Sequence, residues 1–128
     1  MTDTSQLPQV SIGLPVFNGE KSIARALDSL LAQTFTDFEL IISDNASTDT
    51  TSLICAAYAS RDSRIKYVRQ PENIGAFLNF KYVLQKAQAQ YFMWAAADDY
   101  WYPEFIAKNY FVLEQNPRIV SSISKVRI

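Results

Sequence analysis

Among its 128 residues the sequence contains no histidine. That excludes the Ser-His and Cys-His pairs of nucleophilic catalysis, and any metal ion must be held mainly by oxygen ligands. Cysteine is almost as scarce. Cys55 stands alone, so no intrachain disulfide and no cysteine zinc cluster can form, and a reducing, cytoplasmic compartment is the simpler expectation. Glycine is limited to Gly13, Gly19 and Gly75. Neither the G-x-G-x-x-G dinucleotide fingerprint nor the G-x-x-x-x-G-K-[ST] phosphate loop can be written with three glycines so placed, which removes classical NAD enzymes and P-loop nucleotidases.

An excess of charge of either sign is also missing. The net charge is -1, and the Lys and Arg residues are scattered, so the basic excess that nucleic-acid backbones demand is absent and no nucleic acid is expected as a partner. No apolar run approaches the ~20 residues needed to span a bilayer. The opening MTDTSQLPQ has neither the basic start nor the apolar centre of a signal peptide. Membrane contact is therefore expected to be peripheral at most, at the cytoplasmic face.

What is present suits one domain, with 48% hydrophobic and 20% charged residues. Residues 1–9 read as a polar leader and 10–128 as the domain. Val10 to Leu14 (VSIGL) is a short buried strand closed by Pro15, Asn18 and Gly19. Ile23, Leu27, Leu30 and Leu31 then recur at helical spacing between Glu20 and about Gln33. Phe38 to Ile42 is a second strand of the fully buried kind. Ser47 or Asp49 can cap the next helix, whose apolar face is Leu53, Ile54, Ala57 and Tyr58. Ile65 to Val68 is the third strand, and a helix follows with Phe77, Phe80, Leu84 and Ala87 on one face. Tyr91 to Ala95 is the fourth strand. Pro103 suits the first turn of a last helix with Phe105, Ile106, Tyr110 and Leu113 inward, and Ile119 to Ile123 is a fifth strand.

Strands alternating with helices in this way predict an α/β fold, a mostly parallel sheet with helices on both faces. Ligands of such sheets bind outside the carboxyl ends of the strands, so the loops PVFNGE, SDNASTD, PENIG and AADD converge on one edge. The last of these holds the adjacent carboxylates Asp98 and Asp99. An isolated Asp-Asp pair is more often a solvated turn, but at the end of a buried strand it faces the ligand edge. Two like charges ~4 Å apart repel by about 4 kcal/mol at an effective dielectric of 20. A hard divalent ion offsets that cost and takes phosphate oxygens as its remaining ligands, so the pair predicts a metal-bound phosphate ligand.

The other loops carry weaker signals. Ser47 and Asp49 are explained by capping and turn formation alone. Asp44 and Asn45 follow the second strand directly and face the same edge, where a base or sugar can be read by hydrogen bonds. The amide of Asn45 offers one acceptor and one donor, which suits uracil or thymine better than guanine. Phe17 divides evenly between a core aromatic and a ring stacked on a base, and PENIG reads as a turn that needs Gly75.

Together these stretches resemble the inverting glycosyltransferases of family 2, which have the GT-A fold and use nucleotide-sugar donors. The likeness runs in order through VSIGLPVFNGE, SLLAQTFTDFELIISDNASTD, NIGAFLNF, YFMWAAADD and the PEFI helix. It implies that Pro15, Val16 and Phe17 line a nucleobase pocket and that Asn18 and Glu20 support that loop. It further implies that Asp44 and Asn45 contact base or ribose, and that Asn73 and Gly75 lie near the nucleotide. Asp99, with Asp98 nearer the ribose, would be the ligand of a Mn²⁺ or Mg²⁺ ion. Ala96 stands where many members carry a further Asp, and Asn45 where relatives often have a second Asp.

By the same resemblance, the general base lies downstream in an acceptor-binding half, so the chain is expected to be a truncated donor-binding part with no catalytic base of its own. The expected partners are a nucleotide-sugar donor, UDP or dTDP favoured, and an acceptor hydroxyl in cell-surface polysaccharide or glycoconjugate synthesis. The alternative is a non-catalytic nucleotide-binding or assembly module, dimeric or completed by a missing C-terminal half. A phospho-accepting receiver is disfavoured, because Lys125 comes too close to the end of the chain to follow a fifth strand.

Overall fold

The computed structural model describes residues 6–116 and 118. Four strands and four helices alternate: β1 (Val10–Val16), α1 (Ile23–Leu31), β2 (Phe38–Asp44), α2 (Thr51–Arg61), β3 (Ile65–Arg69), α3 (Ala76–Lys86), β4 (Tyr91–Trp94) and α4 (Phe105–Gln115). The strands form one parallel sheet in the order β3-β2-β1-β4. This is the expected α/β architecture. The expected fifth strand, residues 119–123, lies outside the described residues.

The strand order explains where the helices lie. The chain steps from β1 to β2 to β3 in one direction and then returns across both to place β4 beside β1. Right-handed crossovers therefore put α1 and α2 on one face and α3 on the other. Side-chain alternation agrees. Val10, Ile12, Leu14 and Val16 of β1 join Leu40 and Ile42 of β2, with Ile23, Leu27 and Leu30 of α1, Cys55 of α2 and Ile106 of α4, in one apolar core. Gly13 points the other way. A Cβ there would lie 2.6 Å from Val83 Cγ2 and 2.7 Å from Phe92 Cζ, so only glycine lets α3 approach β1 this closely.

β1 and β2 each run two residues beyond the predicted ends, and β1 includes a proline. The proline is tolerated for a geometric reason. The carbonyl of Gly13 accepts a bond from Ala95 N–H on the β4 side at 2.8 Å. Pro15, two residues on, faces the same side, but β4 has ended at Trp94 opposite Gly13. The missing N–H therefore has no partner to lose.

Two predicted helix faces need correction. In α3 the apolar positions Phe77, Phe80 and Leu84 are exposed, Phe77 at 77%, and the buried residues are Asn79 and Val83. The sheet beneath α3 presents Ser11, Gly13, Glu39 and Ser43, and the Asn79 amide bonds both to the Ser43 hydroxyl, at 2.6 Å, and to its carbonyl, at 3.0 Å. The polar groups of this sheet face, with Gly13 and the buried Ile41 among them, thus seat α3 through Asn79 and Val83. In α2, Leu53 is 71% exposed while Thr51 and Cys55 are buried, with Ile54 and Tyr58 partly covered. The faces expected of α1 and of Phe105, Ile106 and Tyr110 in α4 do lie against the core.

Candidate functional site

The carboxyl ends of β1, β2 and β4 meet at one edge, and the loops there are built by hydrogen bonds between distant segments. Asn18 adopts φ 52°, a left-handed conformation that asparagine tolerates better than most residues. Its N–H donates to Ser47 Oγ at 2.8 Å, and its Oδ1 accepts from Thr48 N–H at 2.8 Å. Glu20 Oε2 accepts from the N–H and the hydroxyl of Thr50 at 3.0 and 2.7 Å. Gly19 N–H donates to Thr51 Oγ1 at 2.9 Å, and Asp49 Oδ1 accepts the first N–H of α2, that of Thr51, at 2.9 Å. The β1–α1 and β2–α2 loops are therefore a single braced unit that holds Phe17 half-exposed at its tip. Asn18 and Glu20 make the bonds that join the two loops, Asp49 sits one residue before the N-cap Thr50 and accepts from Thr51 N–H, and Ser47 ties back to Asn18.

These bonds shift the acids. The Thr50 hydroxyl, and then its N–H, hold the carboxyl of Glu20 below the usual value. For Asp49 desolvation works in the opposite direction, but hydrogen bonds from Thr51 and Glu20 leave its carboxyl below the usual value as well. Burial, with the charges of Asp44 and Asp49, pushes the thiol of Cys55 up to about 12, so it is an inert core residue.

Asp44 lies under the edge and not on it. Its side chain has 0% exposure; Oδ1 accepts from Ser47 N–H at 2.9 Å, and Oδ2 accepts from the Tyr67 hydroxyl at 3.0 Å with Arg69 at 3.5 Å. In this arrangement no part of the carboxylate is exposed. Desolvation, followed by the bond to Asp44, pushes the Tyr67 phenol far up, so it remains a donor.

Asn45 is also engaged inward. Its Oδ1 accepts from Ile74 N–H at 2.8 Å and its Nδ2 donates to Asn73 Oδ1 at 3.0 Å. Asn73 Oδ1 also accepts from Gly75 N–H at 2.8 Å, and Gly75, at φ 87°, opens α3. Because backbone N–H groups fix both amide oxygens, both amides have a defined orientation, and Asn73 turns its Nδ2 away from these bonds as an open donor. Sequence reasoning assigned the reading of a base to Asn45, but here its acceptor is already engaged and the outer donor is that of Asn73.

A pocket of about 200 Å³ lies between these loops and α3, lined by Pro15, Val16, Phe17, Asn45, Asn73, Ala76, Asn79 and Phe80. Five of these are the sequence-predicted site residues. Ala76, Asn79 and Phe80 were not read as site residues: the stripe of α3 marks it as a helix without showing which side it turns to the sheet.

Asp98 and Asp99 sit in the exposed turn after β4, where Asp99 N–H donates to Ala96 O at 3.1 Å. That turn touches the braced loops, since a Cβ on Gly19 would lie 3.4 Å from the Cβ of Ala97. The segment that follows is bolted to α1. Trp101 N–H donates to Ser29 Oγ at 3.2 Å, while Gln33 donates to Tyr102 O at 2.7 Å and accepts from Ile106 N–H at 3.0 Å. Ser29 of α1 and Gln33, two residues past its end, are the buried polar residues that make this anchor, and no local sequence pattern marks them.

Residues 11–127 match the family model described as glycosyl transferase family 2. The chain belongs to that family. It is 34% identical over 106 residues to an uncharacterized glycosyltransferase of Rickettsia typhi, covering 83% of this chain and 32% of the relative. Among solved structures it resembles Staphylococcus aureus TarS 1–349, with a TM-score of 0.77 at 26% identity, covering 84% of this chain and 32% of that one. Against the same protein in complex with UDP-GlcNAc the TM-score is 0.78. The chain thus spans about a third of the length of these relatives.

Family membership makes the sheet the Rossmann-like part of a GT-A glycosyltransferase, with its edge between β1 and β4 at the topological switch point. Among the described residues, neither carboxylate of Asp98 or Asp99 forms an ion pair, and no group of three or more potential ligands is assembled. Two open carboxylates without a protein cation fit a hard divalent ion that completes its shell with phosphate oxygens and water. Among the described residues no helix is long and apolar enough to cross a membrane.

Proposed function

We propose that this edge binds the donor of a sugar transfer, a nucleoside-diphosphate sugar, with uridine or thymidine as the favoured base. The observation that carries the reading is the meeting of two unlike sites on one edge. The apolar pocket with the oriented amide of Asn73, and the two carboxylates that form no ion pair among the described residues, both lie on loops at the carboxyl ends of the strands, and those loops approach each other where Gly19 meets Ala97. Phe17 stacks on the base, Pro15 and Val16 form the pocket floor, and Asn73 donates to a base carbonyl. Asn45 and Gly75 set the position of Asn73, Asn18 and Glu20 hold the loop, and Asp44 acts from below through Tyr67 and Arg69. The complexes of TarS with UDP and UDP-GlcNAc support the choice of a uridine nucleotide.

Asp99, with Asp98 nearer the ribose, would hold Mn²⁺ or Mg²⁺, which when bound neutralises charge on the departing diphosphate. The reaction is transfer to an acceptor hydroxyl with inversion, in cell-surface polysaccharide or glycoconjugate synthesis. The acceptor's proton goes to a base outside these residues. The chain's own residues orient the donor and hold its leaving group.

Calorimetry with UDP, dTDP and GDP, with and without Mn²⁺, tests the proposal. UDP is expected to bind more tightly with the metal, and Asp99→Ala to abolish that gain. Binding that ignored both the metal and Asp99 would overturn the assignment. The exposed apolar residues Phe77 and Leu84 of α3 favour one second reading, an assembly module without transfer. Concentration-dependent self-association with no nucleotide binding would support it.

A further inference from the structure

We infer that the base is clamped between two aromatic rings, Phe17 from the β1–α1 loop and Phe80 from α3, and that Trp94 is the residue that positions the second ring. The inference rests on the pocket being the base site, as proposed above. Phe17 and Phe80 line the same cavity of about 200 Å³ and come from different segments, the β1–α1 loop and α3. Phe80 is 45% exposed although it is a large apolar ring on a helix that buries only Asn79 and Val83. A half-bare ring at the wall of a concave, mostly apolar pocket can recover burial by contact with a flat ligand.

Phe80 is also held in place. Trp94 at the end of β4 donates its indole N–H to the carbonyl of Phe80 at 3.2 Å, and the two rings lie with centroids 6.4 Å apart. Phe92 packs edge-on against Trp94 at 4.9 Å, so β4 supplies a rigid aromatic brace behind this wall. Trp94 is four residues before Asp98, and the same strand end therefore sets both the second wall of the base pocket and the start of the acidic turn. Stacking tolerates any base, because every base has a π-face. Discrimination then falls to the open Nδ2 of Asn73, which suits a base carbonyl, since the amide of Asn79 is turned to Ser43.

The test is UDP binding by the full chain and its Phe80→Leu, Phe80→Tyr and Trp94→Phe variants, read by titration and by the proton shifts of uracil H5 and H6. Phe80→Leu keeps an apolar side chain on an exposed helix position and is expected to fold, which far-UV circular dichroism checks. It should weaken UDP binding about tenfold and reduce the upfield displacement of H5 and H6, while Phe80→Tyr retains both. Inorganic pyrophosphate with Mn²⁺, which has no base, should bind all variants alike. Trp94→Phe should weaken UDP two- to threefold through the lost indole N–H. Unchanged affinity and unchanged base-proton shifts in Phe80→Leu would overturn the clamp while leaving the donor site standing. Failure of the unaltered chain to bind UDP, dTDP and GDP would instead overturn the donor site and the clamp with it.

Discussion

The two faces of the sheet are built on different principles. Toward α1, α2 and α4 the strands present Ile12, Leu14, Leu40 and Ile42 without exposure, and aliphatic side chains from three helices close over them. Toward α3 they present Ser11, Glu39 and Ser43, joined to Asn79 and Gln70 and to the turn before β4 by hydrogen bonds. One face is held by area removed from water, the other by satisfied polar partners together with the buried Ile41 and Val83. The pocket lies at the end of the polar face, where α3 is fixed in register by specific bonds while its apolar residues remain uncovered. A helix seated by an amide and a valine leaves its aromatic residues available for a ligand.

This contrast can be broken most strongly in the apolar face. Leu40→Ala deletes a fully buried side chain and should cost about 2–5 kcal/mol in urea unfolding. Asn79→Ala leaves the Ser43 carbonyl without its amide partner, and about 1–3 kcal/mol is expected. If Asn79→Ala proved neutral, the polar face would not seat α3 as argued.

A pH series sharpens the comparison further. Glu20 and Asp49 both have carboxyls held below their usual values of 4.5 and 3.8, Glu20 by bonds from Thr50 that cross between the loops and Asp49 mainly by local bonds from Thr51, with a weaker one from Glu20 N–H. Because the folded values are the lower ones, the stability they add is fully present above the usual values. It is lost as pH falls through the depressed ones. The thermal midpoint of Glu20→Gln should therefore lie below that of the unaltered chain at pH 6, and the gap should close toward pH 3. A gap constant across that range would contradict the loop brace. The smallest effect is expected at Phe77→Ser, within about 0.5 kcal/mol, since that ring lies 77% exposed.

Legibility in the sequence followed the range of the interactions. The four strands were readable from short apolar runs such as ELII, which is buried throughout, and YFMW, which is partly covered and ends in the exposed Trp94, and the ligand edge followed from their parallel order. Phe17 was singled out because it directly follows β1 and the acidic pair because it lies in the loop after β4, whereas Asn73 was marked only by the family resemblance. The face of α3 was misread because Phe77, Phe80 and Leu84 form a genuine helical stripe, and periodicity gives the stripe without its direction. The bracing of Asn18 and Glu20 onto residues 47–51 spans some 30 positions. A local pattern reads those residues as separate caps and turns. Asp44 and Asn45 were placed correctly at the strand end, but their burial depends on Tyr67, Arg69 and Ile74 from the neighbouring strand and loop.

The central claim is that the pocket and the acidic turn form one site. Paramagnetic broadening of backbone amide resonances by Mn²⁺ tests it most directly. With UDP present, broadening is expected to centre on residues 96–100 and extend to Phe17, Asn45 and Asn73, and Asp99→Ala should abolish it. Broadening centred elsewhere, such as on Asp62 or Glu104, or UDP-induced shifts that spare the pocket, would contradict the account.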